Sequence, residues 1–161
     1  MRLLVMFCLL LTSLPVLALE PIRVRTDPSW ALINNSVNVE FDFSGIGQTT
    51  FALGIYYTDG WGTSGSPTRR LSPVFRVDFH AGDPLQSGWH PNLTLQPDLI
   101  DHGDDTYGAA LRIKARQSYR WVWDPLTLSG GLGVQARAGS RSPYLACYLC
   151  PTYELSLGWN L

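Results

Sequence analysis

Residues 37–43 read Val-Asn-Val-Glu-Phe-Asp-Phe, so that every odd position is apolar and every even position is polar. Successive side chains of a β-strand point to opposite faces of the sheet, and this stretch therefore predicts a strand with one apolar and one polar face. One such strand does not define a fold. The fold class follows from the recurrence of the same period along the chain.

Seven further segments alternate in the same way. They lie at residues 22–25, 51–57, 75–79, 89–96, 107–116, 126–135 and 153–161. No segment after residue 20 shows a convincing helical period, and 15 Gly, 11 Pro and a high content of Trp, Tyr and Phe are typical of strands joined by turns. The sequence predicts an all-β domain of eight strands.

The connections between the predicted strands alternate in length. They cover residues 27–35, 44–48, 59–68, 80–86, 97–106, 121–125 and 138–150, so that long and short segments follow one another without exception. A membrane barrel has short periplasmic turns and longer external loops. The pattern favours an eight-stranded antiparallel up-and-down transmembrane β-barrel, since a Greek-key sandwich has no reason to produce it.

Aromatic residues lie near the ends of the predicted strands. This is the position of the interfacial girdles that flank the lipid-facing band of membrane barrels. The residues concerned are Trp61, Trp89, Tyr107, Tyr119, Trp121, Trp123, Tyr153 and Trp159.

The amino terminus has the features of a secretory signal peptide. A short positive start is followed by a nearly continuous apolar run up to Leu17, and Ala18 offers a small residue for cleavage. The run is shorter than the ~20 residues that a spanning helix needs. We expect residues 1–18 to be the signal peptide and residues 19–161 to form one β-barrel domain.

The polar faces of the predicted strands carry many charges. If the apolar faces contact lipid, these charges enter a lumen that is only wide enough for side chains, where an unpaired ion is costly. We therefore predict a lumen network of ion pairs, in which Glu40 and Asp42 pair with basic groups on adjacent strands or across the lumen. Arg23 and Arg25 are the nearest of these groups in sequence, and Arg120 also enters the lumen. The members of the network are Arg23, Arg25, Glu40, Asp42, Arg76, Asp78, Arg112, Lys114, Arg116, Arg137 and Glu154. The excess of basic groups leaves an anion-binding lumen as the alternative.

Other chemistry has little support in the sequence. A formal net charge of −1 gives no argument for nucleic acid. Residues 98–105 hold four aspartates and His102 in a predicted external loop, but their spacing matches no calcium-loop motif, and an exposed polar loop is expected. Neither His80 nor His90 lies in a recognisable catalytic arrangement. We predict no catalytic site, no metal site and no cofactor, while an acyl-chain-modifying activity stays open.

Four short motifs resemble small eight-stranded outer-membrane β-barrels of the OmpA/OmpX type, and more closely a set of outer-membrane barrels with no known activity. The motifs are Asn38-Val39-Glu40, Arg76-Val77-Asp78-Phe79, the Gly-rich residues 128–134 and residues 151–158. The resemblance implies a barrel fold and a location in the outer membrane, and the leading hypothesis is a structural or surface-interaction role there, with the lumen plugged by charged side chains. Outer-membrane lipid and the barrel-assembly machinery would be the partners, and the external ligand is unknown. The alternatives are a soluble lipocalin-like carrier of an apolar ligand, located in the periplasm or secreted, and a lipid-modifying outer-membrane enzyme.

Cys147 and Cys150 stand in the longest predicted connection. Two thiols without a second ligand pair make a poor zinc site, and an exported chain meets an oxidising compartment, so a disulfide between them is predicted. The purified protein should then show no titratable thiol. The variant C147S/C150S should still assemble, with a more protease-sensitive loop, since so short a ring stabilises by less than the ~3 kcal/mol of a 15-residue loop. Two titratable thiols in the native, air-exposed protein would overturn the prediction.

Overall fold

The computed structural model of the protein describes residues 21–28, 35–61, 67–102, 107–139 and 149–161. The predicted signal peptide and Cys147 lie outside these residues, so the cleavage site and the disulfide stay predictions. Eight strands make up almost all of the described chain. They are β1 (Pro21–Thr26), β2 (Ser36–Ser44), β3 (Thr49–Trp61), β4 (Pro67–Phe79), β5 (Gly88–Asp101), β6 (Tyr107–Trp123), β7 (Leu126–Gly139) and β8 (Leu149–Asn160).

Each strand pairs antiparallel with the next one in the sequence, and β8 returns to pair with β1. The closing ladder runs from Arg23 opposite Asn160 to Thr26 opposite Leu157. Closure gives every strand two hydrogen-bonded neighbours, so the sheet has no free edge. The predicted fold, an eight-stranded antiparallel up-and-down β-barrel, is confirmed.

The two faces of the barrel wall have opposite chemistry. Along β5, Asn92, Thr94 and Gln96 are buried in the lumen, whereas Leu93 and Leu95 lie exposed on the outside. The other strands follow the same rule. The hydrophobic side chains buried within the described chain are only Ala52, Tyr56, Val74 and Ile100. Since most proteins in water bury apolar residues and expose charged ones, this barrel is inside out.

The connections lie at two ends of the barrel. We call the end with residues 45–48, 80–87 and 124–125 the turn end, and the opposite end, where the strands end at Trp61, Asp101 and Gly139, the loop end. The strict alternation of lengths predicted from the sequence is wrong, because the connection at 62–66 is shorter than the one at 80–87. Strand pairing continues further than expected, as in the pair Asp59–Arg69, and this shortens the loops.

The ladder between β4 and β5 is interrupted by two prolines. Pairing runs as far as Leu71 opposite Leu99 and resumes at Phe75 opposite Leu95. Pro73 and Pro97 fall at the centre of this gap, and neither has an N–H group to donate. A hydrogen bond of 2.6 Å from Ser72 Oγ to Asp98 Oδ1 joins the two strands there instead.

Glycines provide room for the charged side chains of neighbouring strands. Gly54 faces Glu40 across the β2–β3 ladder, and a Cβ added to it would lie 2.5 Å from Glu40 Cγ. Gly133 faces Arg116, whose Cγ would lie 2.6 Å from the added atom. At these two positions any side chain would displace a luminal charge or the backbone beside it.

We predict that Gly133→Ala destabilises the barrel by about 1–3 kcal/mol, the usual cost of overpacking a filled interior. Gly130→Ala, three residues earlier in β7, is the matched control. Its added Cβ would make an ordinary contact 3.6 Å from the Trp121 ring, so its free energy of unfolding should change little or rise. Urea unfolding of the refolded barrels measures both changes. Equal midpoints for the two variants would contradict this account of the inward glycines.

Candidate functional site

At the turn end, two arginines hold a residue of the connection that follows β4. Arg23 Nη2 and Arg120 Nη1 each donate to the main-chain carbonyl of Pro84, both at 3.0 Å. Arg23 also contacts Asp42 at 3.3 Å, and Arg120 contacts Asp78 at 3.4 Å. The connection at 80–87 is therefore fastened to the charged interior.

In the middle of the lumen, two further arginines join several strands. Arg25 lies within 3.3 Å of Glu40, Asp42 and Asp78. These four groups connect β1, β2 and β4. Buried charges of this kind are tolerated because each carboxylate is held by at least one guanidinium group.

Arg76 makes the ion pair with the largest separation in sequence among the described residues. Its Nη2 donates to Glu40 Oε2 at 2.6 Å, and its Nη1 donates to Glu154 Oε1 at 2.9 Å. Glu154 Oε2 accepts hydrogen bonds from Asn92 at 3.1 Å and Ser118 at 2.9 Å, and Arg116 approaches it at 3.6 Å. Arg76 thus ties β4 to β2 on one side and to β8 on the other.

Nearer the loop end the acids become scarce. Arg112 Nη2 contacts Asp98 Oδ1 at 2.6 Å, and Arg70 Nη2 donates to Thr58 Oγ1 at 3.2 Å. Lys114 and Arg137, both members of the predicted network, lie on the inner face but make no ion pair with any described residue. The other nine predicted members all take part in ion pairs within the described chain.

Asp98 corrects one expectation from the sequence. Residues 98–105 were expected to form an exposed loop, but Asp98 lies in β5 with only 1% of its surface exposed. The alternation of Leu93 and Leu95 continues to Leu99, so the signal was present in the sequence beyond Pro97. Pro97 remains in the wall because it pairs with Leu111 of β6.

The histidine rings of His80 and His90 stack at the turn end, with their centroids 5.5 Å apart. His80 Nε2 lies 3.0 Å from Thr50 Oγ1. Burial, reinforced by the nearby charge of Arg120, lowers the pKa of His80 to about 4, so this ring is neutral at neutral pH. Across the described ranges, no three His, Cys, Asp or Glu side chains come together in a way that would hold a metal ion.

The outer wall carries an aromatic cluster at the turn end. Tyr119 contacts Trp89 with ring centroids 5.1 Å apart and Trp121 with centroids 4.9 Å apart. Trp123 and Trp159 lie exposed at the same end, at the limits of β6 and β8. Among the described residues, no helix is long and apolar enough to cross a bilayer.

Three further aromatic residues predicted for the girdles do not belong to this cluster. Tyr107 is exposed at the loop end, where β6 begins. Tyr153 was expected near a strand end, but it pairs with Leu132 in the middle of the β7–β8 ladder, because β8 already begins at Leu149. The side chain of Trp61 lies outside the described part of the protein.

Comparison with other proteins identifies no similar protein. The chain matches no family model, and neither a curated protein nor a solved structure is significantly similar to it. The function is therefore inferred from the side chains of the barrel itself.

Removing Arg76 should leave two buried carboxylates without their shortest ion pairs. We predict that Arg76→Met lowers the free energy of unfolding by about 3–5 kcal/mol, the usual cost of breaking a buried pair. Arg69→Met in the same strand is the control, because Arg69 is 65% exposed and 3.9 Å from Asp59. An exposed pair contributes at most about 1 kcal/mol. Urea titration of both variants would refute the prediction if their midpoints moved equally.

Proposed function

We propose that the protein is an integral outer-membrane β-barrel with a structural or surface-interaction role and a lumen closed by its own charged side chains. The observation that carries this proposal is the inside-out wall. Large apolar residues such as Phe41, Leu53, Leu95 and Leu155 are exposed on strands all around the barrel. Soluble monomers rarely expose a contiguous apolar area of more than a few hundred Å².

The dimensions of the wall support the same proposal. A transmembrane β-strand needs about 9–11 tilted residues to cross the hydrocarbon layer. Strands β3 to β8 contain between 12 and 17 residues each. The aromatic cluster at the turn end fits the interfacial girdle of such a barrel, where Trp and Tyr rings lie at headgroup level.

The lumen argues against a soluble carrier of an apolar ligand. A lipocalin-like barrel holds its ligand among apolar side chains, whereas this interior is lined by Arg25, Glu40, Arg76, Lys114 and Glu154. The cavity among them has a volume of about 30 Å³. It holds a few water molecules, since each needs about 10–15 Å³. The ion pairs around the cavity also leave little room for conduction.

Fractionation of cells that express the full chain tests the location. We expect the protein in the outer-membrane fraction, resistant to extraction by urea or carbonate, and we expect a shifted gel mobility when the sample is not boiled. A closed barrel resists denaturation by detergent until it is heated, which is the reason for the shift. Recovery in the soluble periplasmic fraction would contradict the proposal.

A pair of variants tests which surface contacts lipid. Leu95 lies in the middle of β5 on the outer wall, whereas Leu85 lies in the connection at the turn end. In lipid vesicles Leu95→Lys should destabilise the barrel by about 2–4 kcal/mol, the cost of a charge at the bilayer midplane, and Leu85→Lys should have little effect. Equal effects would show that the outer wall does not lie in the hydrocarbon.

A further inference from the structure

Among the described residues, basic side chains outnumber acidic ones in the loop-end half of the lumen. Arg112 and Arg137 stand directly opposite each other in the β6–β7 ladder, a pairing of like charges that is destabilising on its own. Lys114 follows two residues after Arg112 on the same face, opposite Gln135. Arg70 enters from β4, opposite Ile100 of β5. We call Arg70, Arg112, Lys114 and Arg137 the loop-end basic cluster.

Few acceptors serve this cluster. Asp98 contacts Arg112, and Asp27 is the other described acid buried at this end. In the turn-end half, by contrast, Asp42 contacts two arginines and Asp78 contacts three. Among the described residues the carboxylates are therefore distributed unevenly along the lumen, with more basic than acidic groups towards the loop end.

Several donors of the cluster are buried without an acceptor among the described residues. They are the Nε atoms of Arg70, Arg112 and Arg137, together with Nε2 of the neighbouring Gln96. Asp98 Oδ2 is a buried acceptor that also lacks a hydrogen bond. This oxygen cannot satisfy four donors, and a buried donor without an acceptor is destabilising.

Lys114 is an independent sign of a binding site. Its side chain is 7% exposed, and it has no hydrogen bond or ion pair with any described residue. It lines the luminal cavity of about 30 Å³ together with Gln96, Arg76 and the carboxylates of Glu40 and Glu154. Buried lysines are rarely left unpaired, because the charge loses its hydration without compensation. Glu40 and Glu154 are already paired with Arg76, so the ammonium group of Lys114 is left for another negatively charged partner.

We propose that the loop-end basic cluster binds an oxyanion of the phosphate class, carried either by free inorganic phosphate or by the headgroup of a lipid. The planar fork of a guanidinium group matches two oxygens of a phosphate, and the lysine adds a point charge. A tetrahedral ion presents four oxygens in different directions, so it can accept from strands β4, β6 and β7 at once. A bound phosphate would also separate the opposed charges of Arg112 and Arg137.

Unfolding of the refolded full-length barrel in neutral detergent tests the proposal. A ligand that binds only the folded state raises the unfolding midpoint with its concentration. We expect sodium phosphate to raise the urea midpoint above that in sodium chloride of equal ionic strength, and phosphorus NMR to show saturable broadening of the phosphate signal. No difference between the two salts would overturn the proposal. This comparison uses the unaltered protein and does not depend on the folding of any variant.

Substitutions then locate the site. Lys114→Met and Arg137→Gln should each weaken phosphate affinity about tenfold or more, because each removes a charged donor. Arg69→Gln is the matched control, since it removes a cation from the exposed loop end of β4 outside the lumen and should leave the affinity unchanged. An equal phosphate response in all three variants would overturn the assignment to the basic cluster.

Vesicles distinguish the two sources of the anion. One arm uses phosphatidylcholine vesicles with added inorganic phosphate, and the other uses phosphatidylcholine–phosphatidylglycerol vesicles without it. Stabilisation that depends on Lys114 in the first arm identifies free phosphate as the ligand, and in the second arm it identifies the anionic headgroup. The absence of such stabilisation from both arms would refute the proposal.

Discussion

Charges enclosed in a narrow barrel have to be paired, and much of this structure follows from that constraint. The alternation of β2 sends Glu40 and Asp42 into a lumen with little space for water, so arginines of the surrounding strands have to reach them. Arg25 and Arg76 do so from β1 and β4. Their long side chains need space, which the inner wall provides through residues without side chains such as Gly54.

The two ends of the lumen meet this constraint differently. At the turn end, arginines are shared between carboxylates and the carbonyl of Pro84, so charged groups of the wall hold both one another and the connection. At the loop end, the acids are fewer and Lys114 lacks a described partner. The barrel is therefore chemically asymmetric along its axis. We infer a structural role for the paired half and a binding role for the other.

The part of the fold that depends on local periodicity could be predicted from the sequence. A period of two in β2 and β5 identifies which residues share a face, whatever the partner strands are. The limits of the strands were harder to predict. The prediction began a loop at Pro97 and therefore placed Asp98 in solvent. The strand continues instead, because a proline is tolerated where its missing N–H faces an interrupted ladder. The predicted lengths of the connections at the loop end were wrong for the same reason, because the strands extend further than predicted.

The sequence by itself determined the all-β class, the separation of polar and apolar faces and the identity of most luminal charges, because each depends on neighbouring residues in one strand. Only the tertiary structure decided which charges meet. Arg76 and Glu154 are 78 positions apart in the sequence. They become partners because the barrel closes and because the register of the intervening strands fixes their positions along the barrel axis. Lys114 shows the converse: the pattern placed it on the inner face, but its isolation follows from the positions that closure assigns to the surrounding carboxylates.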